Sequence, residues 1–110
     1  MSKHYLFHYA NAVQGREGEF NEWYDNTHLG DVLAVPGMIA ATRYELEPVE
    51  RSGPPAPGQY LAVYEFEGDP AEVTAALGAA AKQMFITPAM SSERGPSRVY
   101  KEITPRRLSG

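Results

Sequence analysis

Apolar and polar residues alternate along four short segments of the chain, and this alternation predicts four β-strands. The first of these segments, "KHYLFHYAN", is also rich in aromatic residues. The pattern predicts strands over residues 3–11, 38–47, 59–68 and 97–103. Four Pro and two Gly in residues 48–58 predict a loop, and residues 86–96 predict another.

Two longer segments between the strands have helical spacing. From Arg16 to about Val35, aromatic and apolar residues recur at about 100° per residue, and Pro36-Gly37 ends this helix because Pro disfavours helix before it. A second helix is predicted over "AEVTAALGAAAKQM", directly after Asp69-Pro70. Asp is a favourable N-cap, and Pro suits the first helical position.

The predicted order of elements is β-α-β-β-α-β, which is typical of an α+β, ferredoxin-like fold. In this arrangement a four-stranded antiparallel sheet carries two helices on one face. Both faces of the first and third strands contain apolar or aromatic residues, so the second sheet face is also apolar. A monomer rarely leaves such a surface exposed to water. The sequence therefore predicts a homodimer in which two sheets pack face to face.

Composition narrows the classes of partner. The 110 residues are enough for one domain, predicted as residues 1–110 with a core at about 3–104 and a tail at 105–110. The net charge of −4 predicts no nucleic-acid partner. No stretch has the apolar length needed to span a membrane, and the chain has no Cys. We therefore expect a protein of the cytoplasm that does not bind membranes.

The segments "FNEWYDNTHLGDVLAVPGMIAATRYEL", "QYLAVYEFEGDPAE" and "RVYKEI" resemble the EthD-like branch of the dimeric α+β barrel superfamily. The shared pattern is F-x-x-W-x-x-x-x-H, followed by an apolar position and Pro-Gly, and the resemblance covers roughly residues 3–104. The resemblance implies two ferredoxin-like subunits with a small-molecule pocket in each. Members of the superfamily include cofactor-free monooxygenases, polyketide cyclases and lactone isomerases. Many relatives have Pro two residues after the His, whereas this chain has Gly30 there.

The most informative candidate residues lie on the first helix. Tyr24, His28 and Asp31 are spaced four and three apart, which places them on one helical stripe. A carboxylate one turn away would orient the His28 imidazole, and a Tyr would donate to an oxyanion, so the three residues form a candidate catalytic group for proton transfer next to a carbonyl. The alternative is that His28 hydrogen-bonds a backbone carbonyl while Asp31 is a surface or capping residue.

Histidines of the first strand are candidates for the same pocket. His4 and His8 lie about 13 Å apart along a strand, so they do not share one metal ion. His8 is more central and is the preferred substrate-binding candidate, with an interface or rim position as the alternative. The sequence carries no metal-binding signature, and we expect no metal and no cofactor. A facial triad of His8, His28 and Asp31 is the one metal site that remains open.

Three further residues are substrate-binding candidates. Arg43 would clamp an anionic oxygen, or it would form an ion pair with Glu45 or Glu65. Tyr64 is central in the third strand and would point its hydroxyl at the pocket. Trp23 would contact a substrate or belong to the core.

Together these features predict a cofactor-independent enzyme of the isomerase, lyase or cyclase type. Its substrate would be a small, mostly apolar or aromatic carbonyl compound. Three alternatives remain open from the sequence: a cofactor-free monooxygenase, a protein that binds a small molecule without turnover, and a dimeric scaffold for a larger assembly.

Overall fold

The computed structural model describes residues 3–110 and contains one four-stranded sheet with helices on one of its faces. The strands are β1 (His4–Ala10), β2 (Met38–Glu45), β3 (Tyr60–Phe66) and β4 (Ser97–Lys101). Each is shorter than its prediction by two or three residues, since the ends of the alternating segments do not pair. The sheet order is β2-β3-β1-β4, and all neighbouring strands are antiparallel. The predicted ferredoxin-like fold is confirmed.

The predicted first helix is one continuous helical segment in three parts. These are α1 (Glu17–Trp23), a π-helical turn (Tyr24–His28) and α2 (Leu29–Leu33). The sequence pattern does not predict the π-helical turn, because the apolar spacing fits the 100° per residue of a regular α-helix. The second helix, α3 (Pro70–Ala81), begins as predicted, with the Asp69 carboxylate accepting a hydrogen bond of 3.0 Å from the backbone N–H of Glu72.

The core lies between the sheet and the helices. β3 supplies one complete face to it, since Tyr60, Ala62, Tyr64 and Phe66 are all buried. From the first helical segment, Phe20 and Tyr24 are fully buried against this face. The buried face of β3 thus places aromatic rings under α1, and the candidate site lies next to these rings.

The opposite sheet face carries no helix and is mostly apolar. Strand pairing places on it Tyr5, Phe7, Tyr9, Thr42, Tyr44, Leu61, Val63 and Tyr100. Tyr44 and Tyr100 are each more than half exposed, at 53% and 60%. Within residues 3–110, no helix combines the length and the apolar character needed to cross a membrane.

The Pro36-Gly37 turn that ends the first helical segment accepts only glycine at its second position. Gly37 has φ +98°, and a Cβ there would lie 2.8 Å from the carbonyl oxygen of Glu67 and 2.9 Å from a methyl group of Val73. Its own carbonyl accepts a 2.9 Å hydrogen bond from the Glu67 backbone N–H. The turn therefore joins β2, β3 and α3 at one point.

We expect Gly37→Ala to lower the free energy of unfolding by roughly 2–4 kcal/mol, from backbone strain together with the contacts a methyl group cannot avoid. The matched control is Gly78→Ala in α3, where no atom lies within 4 Å of the added Cβ. Ala is the better helix former, so this control should raise stability by about 0.5–1 kcal/mol. Urea unfolding of both variants measures the difference, and equal effects would contradict the prediction.

Candidate active site

A pocket of about 230 Å³ opens between the sheet and the helices. Its wall is mostly apolar and comes from both helical segments, the sheet, and the irregular chain between α3 and β4. The apolar lining residues are Leu6, Val32, Leu77, Ala81, Met84, Ile86 and Met90. The polar lining residues are His8, His28, Tyr64, Arg94 and Ser97. A mostly apolar pocket with a few convergent polar groups is the usual form of a small-molecule site.

The π-helical turn sets the direction of His28. Residues five apart on an α-helix lie about 140° apart around its axis, so their rings cannot stack. In this chain the backbone N–H of Leu29 donates to the carbonyl of Tyr24, five residues back, and the wider turn brings His28 over Trp23. The two rings stack with centroids 4.5 Å apart and planes at 21°. Single π-helical turns occur frequently at functional sites.

Aromatic side chains enclose His28 without hydrogen-bonding it. Besides the stack on Trp23, the edge of the Tyr24 ring meets the imidazole at 4.9 Å between centroids. The Nδ1 atom of His28 is buried and has no hydrogen-bond partner among the residues that the structure describes. A buried polar atom without a partner is costly, and such atoms call for an explanation such as a functional role.

This environment keeps His28 neutral at physiological pH. Burial is the main cause that lowers the pKa of His28 from 6.5 to about 4, and nearby His8 and Arg43 act in the same direction. Asp31 acts against them, but its effect is smaller than that of burial. The imidazole therefore offers one nitrogen as an acceptor and the other as a donor.

Asp31 does not orient His28 through a hydrogen bond, contrary to the expectation from their spacing. No hydrogen bond joins the two side chains within residues 3–110, and Asp31 does not line the pocket. The alternative was that His28 hydrogen-bonds a backbone carbonyl. Its Nδ1 atom forms no such bond within residues 3–110. Instead, the His28 ring stacks on Trp23 and meets the edge of Tyr24, two contacts that form through the π-helical turn.

Tyr64 and Tyr24 form a buried pair of hydroxyl groups beside the pocket. Their oxygens are 2.9 Å apart, and either group can be the donor. Tyr64 lines the pocket, whereas Tyr24 does not and reaches it only through its hydrogen bond to Tyr64. Burial raises the pKa of both phenols, so each keeps its proton. If Tyr24 donates to Tyr64, the Tyr64 proton is free to donate to a ligand oxygen.

Arg43 contacts the Tyr24 member of this pair and does not line the pocket. Its guanidinium lies over the Tyr24 ring at 4.4 Å and contacts the Asp25 carboxylate at 2.7 Å and the Asn21 side-chain oxygen at 2.8 Å. The expected ion pair thus forms, but with Asp25 rather than Glu45 or Glu65. Glu65 is on the opposite face of the sheet, since it pairs with Tyr5.

The two strand histidines separate as expected. His8 lines the pocket, and burial, helped by Arg94, lowers its pKa. His4 stacks on Phe66 with ring centroids 5.6 Å apart and does not line the pocket. Trp23 is buried under His28 and donates a 3.0 Å hydrogen bond to the carbonyl of Phe85, so its contact is with His28 rather than with the pocket.

Sequence reasoning missed the wall between α3 and β4. Met84, Met90 and Arg94 all line the pocket, although the sequence predicted only the end of a helix and a loop there. The one available signal was an Arg between Glu and Gly-Pro in a segment with no helical or strand pattern. In residues 3–110, no group of three His, Asp or Glu side chains converges in a way that would hold a metal, so the facial triad of His8, His28 and Asp31 does not form.

Comparison with solved structures places this fold among known ones. HapK from Hahella chejuensis aligns with a TM-score of 0.58 and 14% identity, over 97% of this chain and 99% of its own. A protein of the ethyl tert-butyl ether D (EthD) family from Bacillus halodurans aligns with a TM-score of 0.55 and 18% identity, over 94% of this chain and 100% of its own. A variant of MhuD with two manganese protoporphyrin IX molecules bound per active site aligns with a TM-score of 0.54 and 15% identity, over 98% and 99%.

These similarities support the resemblance to the EthD-like family at the level of the fold. The alignments extend over nearly the whole chain in each case. No family model matches the chain, and no curated protein matches its sequence. The fold is therefore shared, while the reaction has to be argued from the pocket itself.

The lowered pKa of His28 has a consequence for stability. Between pH 6.5 and about 4 the unfolded chain binds a proton at this position that the folded chain does not bind, so the free energy of unfolding falls as the pH falls through that range. We expect His28→Gln to make this decline shallower. Urea unfolding from pH 4 to 7.5 measures the slope, and an unchanged slope in the variant would contradict the prediction.

Proposed function

We propose that the protein is a cofactor-independent enzyme that transfers a proton on a small, mostly apolar carbonyl compound. The observation that carries the proposal is the convergence of His28, His8 and Tyr64 on one apolar pocket, with the Nδ1 atom of His28 unpartnered. Each of these groups is suited to a carbonyl substrate. The reaction class is isomerase, lyase or cyclase, on a single domain of the EthD-like type.

In this mechanism His28 is the catalytic base or acid. A neutral imidazole accepts a proton from carbon next to the carbonyl group, and the Tyr64 hydroxyl donates to the oxyanion that forms. Proton transfer to His28 creates a cation, which the new enolate stabilises as an opposite charge within the same pocket. Tyr24 holds Tyr64 in place through the 2.9 Å hydrogen bond, so it is a positioning residue.

Binding without turnover is the second candidate function, and one observation favours it. The pKa of about 4 for His28 lies well below the neutral range in which a general base is most effective. A ligand that only accepts hydrogen bonds from the imidazole and the phenol would require no proton transfer. A cofactor-free monooxygenase remains a variant of the first candidate, because it begins with the same removal of a proton and differs by consuming oxygen.

Exchange of hydrogen for deuterium at carbon separates these functions. Phenylacetone carries protons next to a carbonyl group and an aromatic ring that suits the pocket. In D2O, NMR should record faster exchange of its benzylic protons with the protein than in buffer, and His28→Gln should lower the protein-dependent rate by at least about 100-fold.

The matched control is Asp31→Asn, which changes a side chain that does not line the pocket. We expect its rate to stay within tenfold of the wild-type rate. Binding of phenylacetone without any exchange would favour the binding function. If the ketone neither binds nor exchanges its protons, the proposal fails, and oxygen uptake during exchange would instead favour the monooxygenase variant.

The homodimer is likewise a proposal, supported by the uncovered apolar sheet face. Val63 lies at the centre of this face, between Phe7 on β1 and Thr42 on β2. We expect Val63→Asp to halve the molecular mass in solution, because a carboxylate buried between two sheets would lack a partner. Light scattering measures the mass. The control is Ala79→Asp on the exposed side of α3, and a wild-type monomer would refute the proposal.

A further inference from the structure

The pocket lining has no acidic residue, although the chain as a whole is acidic. The formal net charge is −4, yet among the residues that the structure describes the twelve that line the pocket include Arg94, two His and no Asp or Glu. Asp31, the carboxylate that acts on the pKa of His28, does not line it. A pocket lined by one sign of charge attracts ligands of the opposite sign.

Arg94 is the positive group at this pocket; its side chain is exposed and has no partner among the described residues. No salt bridge or side-chain hydrogen bond joins its guanidinium to another group within residues 3–110. The side chain reaches close enough to His8 to lower the pKa of that residue, so it approaches the polar side of the pocket. An arginine at a pocket wall without a protein partner offers two parallel N–H donors to an anion.

The backbone on either side of Arg94 is anchored, so the position of this residue is built into the fold. The side-chain amide of Asn11 donates to the carbonyl of Glu93 at 2.9 Å, and the backbone N–H of Tyr9 donates to the carbonyl of Pro96 at 3.2 Å. Gly95 lies so close to the chain that a Cβ would meet the Pro57 carbonyl oxygen at 2.5 Å. Arg94 is thus carried by a fixed segment although that segment has no regular secondary structure.

Charge and shape together define a substrate class, and this step rests on the proposed function. We infer that the substrate is a carbonyl compound that also carries a carboxylate, that Arg94 binds this carboxylate at the pocket mouth, and that the apolar body lies among Leu77, Met84 and Met90. His28 and Tyr64 then face the carbonyl group. Arg94 is a binding residue for the anionic group and takes no part in proton transfer.

Two ligands that differ by one group test this inference. Phenylpyruvate is phenylacetone with its methyl group replaced by a carboxylate. Calorimetry at pH 7.5 should show that wild-type protein binds phenylpyruvate at least about tenfold more tightly than phenylacetone, as a charge-assisted hydrogen bond supplies. Arg94→Gln should remove this preference and leave the affinity for phenylacetone within twofold. Arg94→Lys should retain part of it, because the charge remains while the paired donors are lost.

Arg51→Gln is the matched control, since Arg51 is an exposed arginine in the loop before β3. It should leave both affinities unchanged. Equal wild-type affinity for the two ligands, or equal weakening of both by Arg94→Gln, would overturn the inference while the exchange of phenylacetone protons still supports the proposed function. If wild-type protein binds neither ligand and accelerates neither exchange, the proposed function fails and the inference falls with it.

Discussion

The contact between Trp23 and His28 holds the pocket together. The indole ring stacks on the imidazole, and its N–H donates to the carbonyl of Phe85, in the segment that carries Met84 and Ile86. One side chain therefore fixes the candidate catalytic group and the opposite wall at the same time. Loss of Trp23 would release both, in addition to leaving a cavity in the core.

A half-buried histidine whose buried Nδ1 has no partner in residues 3–110 is an unfavourable arrangement in a small domain. Such an arrangement persists where the surrounding packing is favourable enough to offset its cost. Here the packing comes from Tyr24, which contacts His28, and from the rings of Phe20 and Tyr60 that pack next to Tyr24. Arg43 adds to this packing by lying over the Tyr24 ring. Stability and the candidate chemistry thus draw on the same group of rings, so substitutions among them are expected to affect both.

Sequence patterns predicted the fold well because the relevant signals are local. Alternation located all four strands, Pro36-Gly37 located the end of the first helical segment, and Asp69-Pro70 located the start of α3. His28 and Tyr64 could be proposed from a motif and a central strand position. The predicted hydrogen bond between Asp31 and His28 does not form within residues 3–110, where the His28 ring instead stacks on Trp23 through a π-helical turn that the sequence pattern does not indicate. Arg94 could not be found, since it reaches His8 only through the pairing of β1 with β4.

The pocket combines a wall of regular elements with a wall of irregular chain. Strands and helices supply His8, His28 and Tyr64, whereas the segment before β4 supplies Met84, Met90 and Arg94. Its backbone is tied to β1 and the residue after it through Tyr9 and Asn11, and its Thr87 and Ala89 side chains are buried in the core. An exposed side chain on that segment, such as that of Arg94, is free to change during evolution without disturbing the fold. Descendants of one ancestral protein would in this way acquire different ligand preferences while retaining His28 and Tyr64 on the regular elements.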